Sequence, residues 1–433
     1  MRAARRRQSA EPQTITSLIG ELYTQYPFPR VTALHRVEPV HFHLNRMNYQ
    51  LGRRREDALR PDSRIWVAGC GTEQSILTAL RFPEATILAT DLSPRSLEVS
   101  KRLAGQLGIK NVEFQHQNLL ESTFRDDFDI IFCTGVLPVL EDPLKGMRLL
   151  RQALRSGGAG LIMAYNEQHR HFFRQFQRAV ETLAGGPRNL KRKHELAMQL
   201  LRAVRASDKC GGMAQTLRML GNVEDDIPTF ADTLLQPYEI AYDIDSLYAL
   251  VTDAGLRLSW PTPHVWDLAR YVDDPALLAA WRKLDAREQQ RVVNLLAAER
   301  APFFGFYVEH ADRPAPKPYS KAELRGMRLM HRTRHTVYEI QDERVVATHE
   351  SRPYQRSRDR LVEPPLLRRL TPTRNETWVL PADVEPVLEA CDGTRTAGKI
   401  AAAFADRYSS EEVMTLLSQL LSPRIGLLAP VFQ

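Results

Sequence analysis

Two glycines and an aspartate stand where they could hold a nucleoside. Gly69 and Gly71 follow the apolar run "RIWVAGC", and Asp91 ends the next apolar run. Glycine permits positive φ and close approach of a ligand to the backbone, and a carboxylate at this spacing can accept both hydroxyls of a ribose. A dinucleotide would need a further glycine where the chain has Gln74. The pattern therefore predicts a nucleoside without a pyrophosphate, although a tight turn with no ligand is the alternative.

Side chains that could accept a proton lie elsewhere in the chain. The candidates for a general base are His43, Tyr165, Asp232 and Tyr238. His41 would share a face with His43 if their segment were a strand. No third ligand follows them at metal-binding spacing, so we predict no metal site.

The elements that must position these residues alternate between strands and helices from residue 64. Short apolar runs predict strands at "RIWVAGC", "ATILAT", "VEFQHQ", "FDIIFCTGVL" and "AGLIMAY", with helical patterns between them. This alternation predicts a mostly parallel sheet, which binds ligands at the carboxyl ends of its strands. Residues 167–240 are largely helical in pattern and too long for a simple connection, so we expect a helical cap insertion there.

Composition narrows the class of protein. The 433 residues include 43% hydrophobic residues, which allows a globular chain of two or three domains. The net charge of +7 permits an acidic partner, but a solvated, arginine-rich surface explains it as well. Four widely separated cysteines fit a reducing cytoplasm, and no apolar run approaches the roughly 20 residues that span a bilayer. We expect a cytoplasmic protein without a membrane segment.

Proline-rich and charged stretches suggest five parts of the chain. Tyr23, Tyr26 and Phe28 in the first part could close over a ligand or simply pack against the fold. The parts are an N-terminal arm or lid (1–60), the α/β domain (61–311), a linker (312–320), a hairpin with a basic connecting segment (321–376) and a small C-terminal domain (377–433).

The α/β domain also carries a family resemblance. The stretches "WVAGCGTEQS", "ATDLSPRSLEVSK" and "FDIIFCTGVLPVLEDPLKGMRLLRQALRSGGAGLIMAYN" resemble the class I S-adenosylmethionine-dependent methyltransferases, and within them a bacterial subgroup with an AGCGT loop. The resemblance implies a Rossmann-like, seven-stranded, mostly parallel sheet whose last strand is antiparallel. It also implies S-adenosyl-L-methionine as cofactor and methyl transfer by in-line displacement to an acceptor under the cap. That acceptor could be a peptide, a protein or a small molecule.

The same resemblance assigns cofactor-binding positions. Asp91 would bind the ribose, Leu92 would pack on the adenine, and the strand end at Cys133 would lie beneath the sulfonium. Glu73 stands where related loops have a third glycine, and we expect it at the N-terminus of the next helix, where the helix dipole favours its charge, although it could also face the cofactor's ammonium. The complete implied set is Ala68, Gly69, Cys70, Gly71, Asp91, Leu92, Asn118, Leu119, Cys133, Thr134 and Gly135. Asn118 is equally well explained as a turn residue.

The C-terminal part resembles a different family. "CDGTRT" and the helices after it are similar to small α+β winged-helix domains of the PqqD-like type, which implies a surface for a peptide or protein partner. DNA binding through nearby arginines and simple packing in a dimer remain open. For the whole chain, the alternative to an enzyme is a non-catalytic S-adenosylmethionine sensor or scaffold.

Overall fold

A computed structural model describes residues 14–187, 189–261, 263–297, 302–332, 335–341, 344–351, 354–356, 371–372, 378–380, 382–423 and 425–432. Its α-helices are α1 (Ile15–Gln25), α2 (Phe42–Gln50), α3 (Gln74–Arg81), α4 (Pro94–Gln106), α5 (Pro143–Ala153), α6 (Glu167–Ala184), α7 (Leu190–Arg205), α8 (Gly211–Met219), α9 (Ile227–Leu234), α10 (Ile244–Asp253), α11 (Pro275–Trp281), α12 (Ala286–Leu296), α13 (Lys321–Gly326), α14 (Glu385–Glu389), α15 (Ala397–Ala403) and α16 (Ser410–Leu421).

The strands are β1 (Ala33–Val37), β2 (Arg64–Ala68), β3 (Thr86–Asp91), β4 (Val112–His116), β5 (Phe128–Cys133), β6 (Leu154–Asn166), β7 (Ala241–Tyr242), β8 (Leu256–Ser259), β9 (Phe303–His310), β10 (Arg328–His331), β11 (His335–Gln341), β12 (Arg344–Ser351), β13 (Tyr354–Arg356), β14 (Thr371–Pro372), β15 (Trp378–Leu380), β16 (Asp392–Thr396) and β17 (Leu428–Pro430).

The largest sheet has the order β4-β3-β2-β5-β6-β9-β8, and the short strand β7 pairs with the end of β6. β9 runs antiparallel to both of its neighbours, whereas β2 to β6 pair in parallel. Both faces of β2 are buried, as expected for a parallel strand covered by helices. The predicted Rossmann-like fold is confirmed, and β7 is an additional strand that the sequence did not indicate.

Local capping residues begin the helices that follow the strands. Ser93 Oγ accepts a hydrogen bond from the backbone N of Ser96 at 3.1 Å, and Pro94 occupies the first position of α4. Asp142 caps α5 in the same way, 2.9 Å from the backbone N of Lys145. A side-chain oxygen at this position satisfies an otherwise unpaired donor of the first turn. These caps fix where each helix leaves the sheet.

The predicted cap consists of α6 to α9, together with α1 from the N-terminal arm. Its core is built from apolar side chains of several helices, among them Phe173, Phe176 and Phe230. Leu22 of α1 is fully buried in the same core. The burial of a leucine side chain contributes about 1.5–3 kcal/mol, so α1 is held to the cap by apolar packing.

The C-terminal unit has its own apolar core and a three-stranded antiparallel sheet of order β16-β10-β17. β10 is the central strand of this sheet, although it lies before residue 377, where we placed the start of the small domain. Asn45 of α2 accepts a hydrogen bond from the backbone N of Phe432 at 3.3 Å, and Tyr49 stacks on Tyr319 with ring centroids 5.0 Å apart. The unit therefore packs against α2 of the N-terminal arm, which also contributes to the core of the α/β domain.

The predicted hairpin is formed by β11 and β12, and β1 adds a third antiparallel strand to it. Most of the basic segment that follows lies outside the described residues. None of the helices in the described part of the chain is both long and apolar enough to cross a lipid bilayer.

Candidate cofactor and acceptor site

A cavity of about 540 Å³ opens at the carboxyl ends of β2, β3, β5 and β6. The loops that follow these strands form its floor, and α1 contributes Thr16, Ile19 and Tyr23 to its wall. Asp232 of α9 and Tyr165 of β6 line the same cavity. One space therefore joins the glycine loop to the cap.

The glycine loop is held in a conformation that requires glycine. Gly69 has φ +70° and Gly71 has φ +54°. A Cβ at Gly69 would lie 2.0 Å from Val136 Cγ2, and one at Gly71 would lie 2.8 Å from the carbonyl oxygen of Phe28. A side chain at either position is excluded by the backbone conformation and by the lack of space. The loop thus leaves its backbone open to the cavity.

Asp91 stabilises this loop as well as facing the cavity. Its Oδ2 accepts a hydrogen bond from the backbone N of Gly71 at 2.8 Å, and its Oδ1 accepts one from the backbone N of Ser93 at 2.8 Å. Burial raises the pKa of the carboxyl, and these two hydrogen bonds oppose the shift. Each oxygen keeps a lone pair, so Asp91 can still accept the hydroxyls of a ribose.

Asn118 and Gln117, which follow β4, differ in whether their side-chain oxygens already accept a hydrogen bond. Asn118 Oδ1 accepts from the backbone N of Leu120 at 3.0 Å, and its Nδ2 donates to Glu121 Oε1 at 3.1 Å. Asn118 therefore caps a short turn, as its alternative interpretation proposed, while also lining the cavity. Its neighbour Gln117 has a buried Oε1 that accepts no hydrogen bond from the described residues and lines the cavity too.

Glu73 precedes α3, but its side chain makes no hydrogen bond to the first turn of that helix. It lines the cavity instead. Burial raises the pKa of its carboxyl, and the nearby Arg81 lowers it. Glu73 therefore lies at the N-cap position of α3 without a side-chain hydrogen bond to the helix, and its contact with the cofactor stays a prediction.

At the cap end of the cavity, an aspartate and a tyrosine from distant parts of the chain meet. Tyr23 donates to Asp232 Oδ1 at 2.8 Å and accepts from Gln236 Nε2 at 2.7 Å. The Gln236 side chain also interacts with the Asp232 carboxylate. Burial raises the pKa of Asp232 to about 6, with Glu239 adding to the shift, whereas Tyr23 and Arg170 lower it.

Tyr165 and Arg170 complete this end of the cavity. The Tyr165 hydroxyl makes no hydrogen bond to any described residue, and burial raises the pKa of that hydroxyl. Arg170 lies over the Tyr165 ring at 4.4 Å from its centroid. Its guanidinium donates to both carboxylate oxygens of the buried Glu239, with Nε 2.8 Å from Oε1. Arg170 is therefore neutralised by Glu239 rather than free to pair with an anion.

Two of the four candidate bases lie away from the cavity. His43 is buried against the rings of Phe82 and Phe132, and burial lowers its pKa to about 3. His41 and His43 flank the start of α2 rather than a strand, so they do not share a strand face. Tyr238 does not line the cavity, whereas Asp232 and Tyr165 do.

Some of the predicted cofactor-binding positions line the cavity, and others do not. Ala68 and Cys133 are buried strand residues behind the cavity. The predicted positions that do line it are Gly69, Cys70, Gly71, Asp91, Leu92, Asn118, Leu119, Thr134 and Gly135. Among the described residues, no group of three or more histidine, cysteine, aspartate or glutamate side chains could hold a metal ion.

Sequence reasoning did not select several residues of the cavity wall. Gln117, Glu141, Met163 and His169 lack a motif that distinguishes them from ordinary surface or core residues. Tyr23 was one of three aromatic lid candidates, and the structure separates them. Tyr23 and Phe28 line the cavity, whereas Tyr26 packs edge-on against His194.

Comparison with known proteins agrees with this geometry. The family described as "Methyltransferase domain" matches residues 62–214. An uncharacterised protein of a Synechococcus strain is 28% identical over 315 residues, which cover 71% of this chain and 74% of that protein. The trans-aconitate 2-methyltransferase of Deinococcus radiodurans is 32% identical over 113 residues, which cover 26% of this chain and 41% of that enzyme.

Among solved structures, PKMT2 from Rickettsia typhi in complex with AdoHcy has a TM-score of 0.60 at 12% identity. The superposition covers 90% of this chain and 76% of that one, so the shared fold extends over most of both molecules. Residues 62–214 therefore match a methyltransferase domain, and the chain shares its fold with a solved structure that contains AdoHcy.

Proposed function

We propose that this protein transfers the methyl group of S-adenosylmethionine to an acceptor held between the glycine loop and the cap. The observation that carries the proposal is the single cavity that Asp91 and Asp232 both line. A donor bound on the loop and an acceptor bound at Asp232 would share one enclosed space, which in-line displacement requires.

The residues of the cavity fit the cofactor. Gly69 and Gly71 admit its amino-acid part, and Asp91 accepts the ribose hydroxyls. Gln117 Oε1 accepts no hydrogen bond from the described residues and is suited to the adenine amino group. Glu73 is placed to face the cofactor's ammonium. When bound, the cofactor supplies an electrophilic methyl group on sulfur.

The chain's own residues then orient the acceptor and exclude water. Tyr23 holds Asp232 in place through one short hydrogen bond, and Gln236 in turn donates a hydrogen bond to the Tyr23 hydroxyl. Tyr165 presents its hydroxyl from the end of β6, beside the loop that carries Gly135. α1 covers the space and limits access of water, which strengthens the electrostatic interactions inside.

Binding of S-adenosylhomocysteine tests the cofactor site. We expect Asp91→Ala to weaken binding at least about a hundredfold in titration calorimetry, because it removes the ribose acceptor and frees the backbone of Gly71. Asp245→Ala is the matched control, since this carboxylate pairs with Arg287 and Arg291 on the surface. Equal binding by wild type and Asp91→Ala would refute the assignment of the site.

The alternative is a sensor or scaffold that binds S-adenosylmethionine without turnover. The polar groups that Asp232 and Tyr165 present to the cavity favour an enzyme, because a sensor needs no polar groups beside the donor. We expect consumption of S-adenosylmethionine in an acceptor screen and its loss in Asp91→Ala. Binding without consumption across amines, alcohols and carboxylic acids would favour the sensor.

We further propose that the C-terminal unit recruits a peptide or protein partner. β16 is an edge strand of its sheet, and an edge strand can accept an added peptide strand. DNA binding is the competing role. Removal of residues 321–433 should lower the apparent affinity for a peptide acceptor and leave S-adenosylhomocysteine binding unchanged, whereas a shift of labelled duplex DNA by the full chain would favour the competing role.

A further inference from the structure

The wall of the cavity is acidic although the whole chain is basic. The chain carries a net charge of +7. The wall contains four carboxylates, those of Glu73, Asp91, Glu141 and Asp232. Arg170 is the one arginine or lysine among the described residues of this wall, and Glu239 neutralises it. The cavity therefore favours cations, in contrast to the net positive charge of the whole chain.

The cofactor would not neutralise all of these carboxylates. In the proposed function Asp91 binds the neutral ribose, and Glu73 faces the ammonium of the amino-acid part. Asp232, at the cap end, and Glu141, exposed near α1, are left for the acceptor. Thr16 donates to Glu141 Oε2 at 3.0 Å, which holds this carboxylate against the N-terminal end of α1.

The cap end has the groups that recognise an ammonium. Tyr23 keeps the Asp232 carboxylate oriented through Oδ1, Gln236 also interacts with it, and the carboxylate lines the cavity. The Tyr165 hydroxyl makes no hydrogen bond to any described residue, and Phe303 lies opposite Tyr165 on the neighbouring antiparallel strand. A carboxylate flanked by aromatic rings binds a cation through charge and through the ring faces.

We propose that the acceptor is a cationic amine, whose ammonium binds at Asp232 between Tyr23 and Tyr165. This inference rests on the proposed function and names the class of its acceptor. A carboxylate acceptor would face Asp232 and Glu141 with like charge, without a free arginine to bind it. An uncharged alcohol would leave the charge of Asp232 unpaired at the enclosed end of the cavity.

The reaction balances with groups that the site contains. The acceptor R–NH₃⁺ gives one proton to the Asp232 carboxylate and becomes R–NH₂. The nitrogen lone pair attacks the methyl carbon of S-adenosylmethionine while the carbon–sulfur bond breaks, and its electron pair stays on sulfur. The products are R–NH₂⁺–CH₃ and S-adenosylhomocysteine. The proton on Asp232 passes to water after the products leave.

Three compounds on one carbon frame test the charge preference. 3-Phenylpropylamine, 3-phenylpropanol and 3-phenylpropionate carry an ammonium, a hydroxyl and a carboxylate in the same position. Each is titrated into the full chain saturated with S-adenosylhomocysteine, and methyl transfer to each is followed with labelled S-adenosylmethionine. We expect saturable binding and methylation of the amine only.

Two variants connect the preference to the proposed residue. Asp232→Asn should weaken amine binding by about tenfold or more, because a charged hydrogen bond is replaced by a neutral one. Asp245→Asn, on the surface, should leave it unchanged. S-adenosylhomocysteine binding by both variants shows that each is folded.

The outcomes separate this inference from the proposed function. Amine binding that is absent, or unchanged in Asp232→Asn, overturns the inference if S-adenosylhomocysteine still binds. Equal or tighter binding of the alcohol or the carboxylate also overturns it. If S-adenosylhomocysteine itself does not bind the wild-type protein, the proposed function fails first.

Discussion

Replacing Asp232 with asparagine should change how the stability of the cap depends on pH. Burial raises the pKa of this carboxyl to about 6, from an ordinary value of 3.8. The charged groups around it are Arg170 of α6, which lowers the pKa, and Glu239, which raises it. The hydrogen bond from Tyr23 of α1 and the interaction with Gln236 lower it as well.

The sign follows from proton binding. Because the folded protein holds this proton more tightly than the unfolded chain, the aspartate contributes stability at low pH and loses it as the pH rises through about 6. One pKa unit corresponds to about 1.36 kcal/mol, so the full shift of the Asp232 pKa corresponds to about 3 kcal/mol of stability. Between about pH 7 and pH 5 the change is about 1.3 kcal/mol, or roughly tenfold in a local opening equilibrium.

Hydrogen exchange of the backbone amides in α9 measures this opening without assuming that the whole chain unfolds in one step. The comparison is the ratio of protection between Asp232→Asn and wild type at each pH, in which intrinsic exchange rates cancel. The variant should be relatively better protected near pH 7, and this advantage should shrink roughly tenfold by about pH 5.

A surface aspartate provides a control of opposite sign. Hydrogen bonds from Arg291 and Arg287 hold the pKa of Asp245 below its ordinary value. Asp245→Asn should therefore cost stability at neutral pH and have less effect in acid. A protection ratio for Asp232→Asn that stays constant from pH 5 to pH 7 would refute the raised pKa and the argument built on it.

Two further substitutions test the loop and the cap. Gly69→Ala should abolish S-adenosylhomocysteine binding in calorimetry, because its Cβ would lie 2.0 Å from a Val136 side-chain carbon. Gly108→Ala is the control, since Gly108 also has a positive φ but its Cβ would meet no atom within 4 Å. Retained binding by Gly69→Ala, or lost binding by Gly108→Ala, would contradict this prediction. Arg170→Gln should lower the free energy of unfolding of the cap by about 3–5 kcal/mol by leaving a buried glutamate unpaired, whereas Arg192→Gln, on an exposed pair, should change it by less than about 1 kcal/mol in the same denaturant titration.

The sequence alone determined the α/β domain and the half of the cavity expected to bind the cofactor. Strand and helix patterns are local, so they predicted the Rossmann-like sheet. The positive φ of Gly69 and Gly71 follows from the turn that joins β2 to α3. Asp91 lies at the end of the adjacent strand because parallel neighbours end at the same edge of a sheet.

Only the tertiary structure decided the other half. Tyr23 and Asp232 are 209 residues apart and meet because Leu22 is buried in the core of the cap. The finding that His43 lies outside the cavity also depended on packing, since the neighbouring sequence does not show that its ring faces Phe82 and Phe132. Contacts between distant segments depend on the burial of whole helix faces, and a short motif carries no information about which helices will share a core.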